Sequence, residues 1–93
     1  MASRIEEWLQ ERIRTGEYVM TLHAEEEMAD DGLSLFDVEN IVLAGGVGET
    51  QIDRSTGERK YRIEGQTESG AIAEVVAKKG STGKMVIITV YLK

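Results

Sequence analysis

One imidazole and one dense run of cations are the side chains here best suited to chemistry. His23 is the only histidine, and it follows Thr21-Leu22 where a short β-prone segment gives way to a helical run. A side chain at such a junction projects from a sheet edge, and imidazole is the group most readily tuned for proton transfer near neutral pH. It reads equally as a capping or packing residue. Arg59-Lys60-Tyr61-Arg62 is the densest positive stretch, inside a segment of strand-like alternation. A period of two puts Lys60, Arg62 and Glu64 on one face and Arg59, Tyr61 and Ile63 on the other. Tyr61 and Ile63 have core character, which leaves Lys60 and Arg62 on the open face. There they either contact phosphates or keep an edge strand soluble. Lys78, Lys79 and Lys84 flank a hairpin loop and read as a solvated turn, and the acidic run Glu25, Glu26, Glu27, Asp30 and Asp31 reads as a solvated helix face.

Several other chemistries lack their residues. There is no cysteine, so neither a disulfide nor a thiolate metal site is available, and a single histidine argues against structural zinc. No HExxH occurs. The glycine-rich Ala44-Gly45-Gly46-Val47-Gly48 follows a helix instead of opening one, and it lacks the lysine of a phosphate-binding loop. No cofactor and no metal are expected. No stretch approaches the roughly 20 apolar residues of a membrane span, and the charged start Met-Ala-Ser-Arg-Ile-Glu-Glu lacks a signal peptide's apolar run, so a cytoplasmic location without a membrane partner is expected.

With 93 residues, 41% apolar and 30% charged, the chain is expected to form one domain over residues 1–93. The net charge of −6 conceals a division. Residues 1–50 carry twelve acidic and three basic side chains, −9, whereas residues 51–93 carry eight basic and five acidic ones, +3. An anion-binding surface is therefore expected in the second half.

The elements that must position these groups follow from periodicity and caps. Ser3 with Glu6 forms a capping-box pattern ahead of Ile5, Trp8, Leu9 and Ile13, predicting a helix over 3–15. Residues 17–21 read as an edge strand or an extended connector. A second, acidic helix is expected over 22–31, stopped by Gly32, and a third over 34–44, capped by Ser34 and Asp37, with Phe36, Val38, Ile41 and Val42 inward. The period then changes to two, predicting strands at 48–53, 58–64, 71–78 and 84–92 joined by short glycine-containing loops. The expected fold is α+β, with two or three N-terminal helices packed on an antiparallel four-stranded sheet. Met85–Leu92 is apolar on both faces, as in an interior strand, with Thr89 and Tyr91 on the face away from the helices.

The succession His23-Ala24, Met28, Gly32-Leu33-Ser34, Asp37-Val38-Glu39, Tyr61-Arg62, Gly65 and Ile88-Thr89-Val90-Tyr91 resembles the family called domain of unknown function 4258, over about residues 18–92. Members of that family look like the small RelE and BrnT type toxins, whose better-known relatives cleave RNA. The resemblance implies a RelE-like fold and a toxin-related protein with metal-independent RNA endonuclease activity, with RNA and an antitoxin-like or other protein as partners. The alternative is a non-catalytic protein-interaction module of the same fold. The resemblance points to His23, Arg62, Thr89 and Tyr91 as a polar cluster on the open side of the sheet. His23 would be base or acid, Arg62 and Lys60 would stabilise phosphate charge, Tyr91 would be an acid or a stacking ring, and Thr89 would position them. Glu27 and Asp31 stand where the family often has arginine, which implies weak or absent nuclease activity.

Overall fold

The structure, a computed structural model, describes residues 3–93. Helix α1 (Arg4–Arg14) starts at a complete capping box: the Ser3 hydroxyl accepts from the Glu6 amide and the Glu6 carboxylate accepts from the Ser3 amide. Strand β1 (Tyr18–Met20) leads through the N-cap Thr21 into α2 (Leu22–Asp31), which ends at Gly32 in the left-handed conformation, φ 67°. Helix α3 (Leu35–Ala44) carries a second capping box, between Ser34 and Asp37. Four strands follow: β2 (Val47–Ile52), β3 (Arg59–Gln66), β4 (Ile72–Lys79) and β5 (Met85–Leu92).

The sheet has five strands in the order β1-β5-β4-β3-β2. The last four form the expected antiparallel meander. The expectation of a four-stranded antiparallel sheet is corrected by β1, which pairs in parallel with β5 through Tyr18–Met85, Val19–Val86 and Met20–Ile87. Three residues are too few for alternation to show. Only the pairing with a strand some 65 residues away turns this segment from a connector into an edge strand.

The three helices cover one face. Leu9 and Ile13 of α1, Ala24 of α2, and Val38, Ile41 and Val42 of α3 bury against Tyr61 and Ile63 of β3, Ala73, Val75 and Ala77 of β4, and Met85, Ile87 and Val90 of β5. Phe36 does not join them. It is 55% exposed, because two residues before Val38 is about 200° around a helix, on the opposite side. In β5, Ile87 faces Ala77 and Thr89 faces Val76, so Ile88 is an extra residue in the ladder. The bulge brings both Ile87 and Val90 to the core and leaves Thr89 and Tyr91 on the uncovered face.

The outer edges are treated differently. Beyond Met20 the place beside the edge of β5 is taken by α2. The Thr21 amide donates to the Ile87 carbonyl, the Thr21 hydroxyl donates to the Ile88 carbonyl, and the amides of Val90 and Leu92 donate to the carboxylates of Glu27 and Asp31. Residues 27 and 31 are one turn apart on α2, which matches the two-residue step of outward-facing amides along a strand. At the other edge, β2 from Gly48 to Ile52 is exposed along its length.

Candidate functional site

Register arranges the uncovered face in rows. Arg62, Val76 and Thr89 lie across one row of β3, β4 and β5, and Glu64, Glu74 and Tyr91 lie across the next. Arg62 and Tyr91 are thus diagonal neighbours with Glu74 between them. The Arg62 Nη1 donates to Glu74 Oε2 at 2.9 Å and reaches the Tyr91 hydroxyl oxygen at 3.4 Å. The Tyr91 hydroxyl donates to that same Glu74 oxygen. Lys93 Nζ stands 3.9 Å from the other Glu74 oxygen and donates to Glu64 at 2.8 Å.

Glu74 is only 5% exposed although it points away from the helices. Arg62, Tyr91 and Lys93 converge on it, so a charged group buried on this face is met by two cations and a hydroxyl donor, the condition under which such burial is tolerated. The hydrogen bond to Glu74 holds the Tyr91 hydroxyl above the ordinary tyrosine range, and partial burial adds to the effect. Tyr91 therefore keeps its proton across neutral pH and is a donor, not a base. Arg62 Nε is buried and, among the described residues, has no hydrogen-bond partner.

Of the residues expected to form the site, Arg62 and Tyr91 meet directly. Thr89 shares their face, in the row of Arg62 and one row from Tyr91, and Lys60 lies two residues along β3 from Arg62, opposite Gln51. His23 stands apart. It is exposed in the first turn of α2, and its Nε2 lies 3.2 Å from Glu27 Oε1, the oxygen that also accepts the Val90 amide. Among the described residues no hydrogen bond or ion pair joins His23 to Arg62 or Tyr91. The acidic run is not wholly solvated, since Glu27 and Asp31 seal the β5 edge. Two of the lysines around the last hairpin are likewise engaged, Lys78 with Glu58 at 3.0 Å and Lys79 5.2 Å over the Trp8 ring, while Lys84 is exposed.

Glu74 is the member that composition and spacing did not single out. Its signal was present, because it is the one charge inside Ile72-Ala73-Glu74-Val75-Val76-Ala77, the most apolar stretch of a central strand. A second carboxylate, Asp37, is buried for a different reason. It accepts from the Ser34 amide and hydroxyl and, at 2.8 Å, from the Glu68 amide, tying the start of α3 to the β3–β4 turn.

A family model described as domain of unknown function (DUF4258) matches residues 20–92. The chain belongs to this family. No curated protein and no solved structure matches it. The match to the DUF4258 model takes in α2, α3 and the whole meander, so Glu27, Arg62, Glu74 and Tyr91 all lie inside the matched region. Among the described residues of this DUF4258 chain, no helix is long and apolar enough to cross a membrane, and no three His, Cys, Asp or Glu side chains gather as a metal site.

Proposed function

We propose that this DUF4258 chain is a RelE-like, toxin-related protein of the cytoplasm that cleaves RNA without a metal, using the uncovered face of the sheet. The observation that carries the reading is the junction of Arg62 and Tyr91 on that face, a fixed cation beside a hydroxyl that retains its proton. In this mechanism Arg62 and Lys60 bind the scissile phosphate and stabilise the charge that develops on it. The 2′-oxygen attacks phosphorus as its proton passes to a base, His23 in this reading. Tyr91 donates its proton to the departing 5′-oxygen as the P–O bond breaks, leaving a 2′,3′-cyclic phosphate and a 5′-hydroxyl. Thr89 orients the backbone beside them. His23 is exposed and lies beside Glu27, so the reaction requires it to leave that carboxylate for the substrate. The test is incubation of the protein with free and ribosome-bound RNA at low salt in the presence of a chelator. Cleavage lost in Arg62→Ala supports the reading, and intact RNA with the wild type sinks it.

A second reading, a non-catalytic module that binds an antitoxin-like protein, is favoured by the contrast between the two edges. Glu27 and Asp31 close β5, while β2 presents exposed backbone and an Ile52 that is 59% exposed, suited to accept a partner strand. Co-purification with the product of a neighbouring gene, abolished by Thr50→Pro, would support it. A complex unaffected by that substitution would remove the β2 edge from consideration.

A further inference from the structure

We infer that Glu74 is the positioning residue of the site: it holds Arg62 and Tyr91 in one arrangement on the uncovered face before any substrate arrives. The inference rests on the RNA-cleaving reading and extends it to a residue that touches neither base nor phosphate. Three features of the geometry support it. Glu74 sits on β4 directly across from Tyr91 and diagonal to Arg62, so one carboxylate reaches both side chains without leaving the strand ladder. A single oxygen of Glu74 accepts from both, which couples the place of the guanidinium to that of the hydroxyl. At 5% exposure the carboxylate has little freedom to reorient, and hydrogen bonds of its kind are short and directional. Arg62 and Tyr91 are more exposed than Glu74, so each is available to an incoming anion from above while anchored from below.

The division of labour follows. Arg62 offers Nη1 to Glu74, leaving the donors on Nη2 for a phosphate oxygen. Tyr91 shares its proton with Glu74 until a better acceptor, the departing oxygen, presents itself. Glu74 gains and loses no proton in the cycle. The ionisation of Tyr91 is the readout that separates positioning from plain structural support. The charged groups facing Tyr91 are Glu74 from β4, Arg62 from β3 and Lys93 from the end of the chain, with Glu64 behind Lys93. From α2, Glu27 and Asp31 reach the backbone on either side of it.

The experiment compares wild type, Glu74→Gln and Glu74→Ala by NMR titration of the tyrosine ring carbons, with Tyr91→Phe to assign the signal, alongside RNA cleavage rates. In both Glu74 variants the Tyr91 titration should move down toward the ordinary tyrosine value, and the Arg62 Nε–H resonance should shift. Cleavage should fall at least about tenfold in Glu74→Ala and recover in part in Glu74→Gln, which keeps an acceptor oxygen in place. If Glu74→Ala proves too unstable to study, Glu74→Gln alone decides through the titration. An unchanged Tyr91 titration in Glu74→Gln, or undiminished cleavage in a folded Glu74→Ala, overturns the inference. Should the wild type itself leave RNA intact, the RNA-cleaving reading falls, while the titration still tells whether Glu74 holds the pair.

Discussion

Replacing Arg62 by alanine leaves Glu74, buried on the uncovered face, with Tyr91 and a lysine 3.9 Å away among the described residues. Because Arg62 is one-third exposed, the loss should fall below that of a fully buried pair, at about 2 kcal/mol by urea unfolding. Tyr91→Phe removes a neutral donor and keeps the ion pair, and should cost about 1 kcal/mol. The reverse ranking would mean that the pair is not the anchor of the network. Asp37 offers a prediction in pH. Its carboxyl is held below the usual range, first by the Glu68 amide and then by the Ser34 amide, with burial opposing. A depressed folded-state value means that the stabilisation is present in full above the unfolded value, near 4, and is lost as pH falls through the folded one. Asp37→Asn should therefore be less stable than wild type at pH 7, and the gap should close as urea unfolding is repeated below about pH 4. A constant gap would contradict this account. His23, Lys60 and Arg62 were legible because an only imidazole and a cationic strand are rare features. Glu74 was not singled out, because a period of two along β4 turns it away from the helices, and an acid on such a face is ordinarily solvated. Its burial comes from Arg62, Tyr91 and Lys93 closing over it from other parts of the chain.

At the scale of elements, the clearest consequence concerns α2 as a cover for the β5 edge. Glu27→Ala should cost about 1 kcal/mol and speed hydrogen exchange at the Val90 amide about tenfold or more, without affecting amides in β3. Unchanged exchange at Val90 would show that the carboxylate does not cap the strand. Arginine in place of Glu27 would lose the same bond, so the acidic residue has a structural reason to be there. The end of α3 is similarly constrained. A Cβ on Gly45 would lie 2.7 Å from the carbonyl oxygens of both Glu64 and Ile41, so Gly45→Ala should destabilise by about 2 kcal/mol as α3 is pushed from β3. The helices and the meander were readable from capping boxes, Gly32 and the change of period, and their ends agree with the structure to within two residues. β1 was readable only as one of two alternatives, edge strand or connector, which pairing with the distant β5 decides, and the β5 bulge was not readable, since it exists only in the register with β4.

For the whole molecule, the division into a −9 half and a +3 half does not produce two opposed charged bodies. Glu27, Asp31 and Asp37 from the helical half each accept a backbone amide of the second half, at Val90, Leu92 and Glu68, and Glu6 accepts the amide of Val47 at the start of β2. Much of the acidity is thus spent in joining helices to sheet, in the manner of caps, and does not by itself mark a site that has lost its use. The uncovered face, by contrast, presents Lys60, Arg62 and Lys93 beside Glu64 and Glu74, a mixed surface on which phosphate binding should be weak and strongly dependent on salt. The most direct test uses Tyr91→Phe, which keeps Arg62 paired with Glu74 and removes only the transferable proton. In a chelator at low salt, wild-type protein should produce RNA fragments ending in 2′,3′-cyclic phosphate, and Tyr91→Phe should produce them at least about a hundredfold more slowly. Equal cleavage by the two proteins, or none by the wild type, would contradict the account.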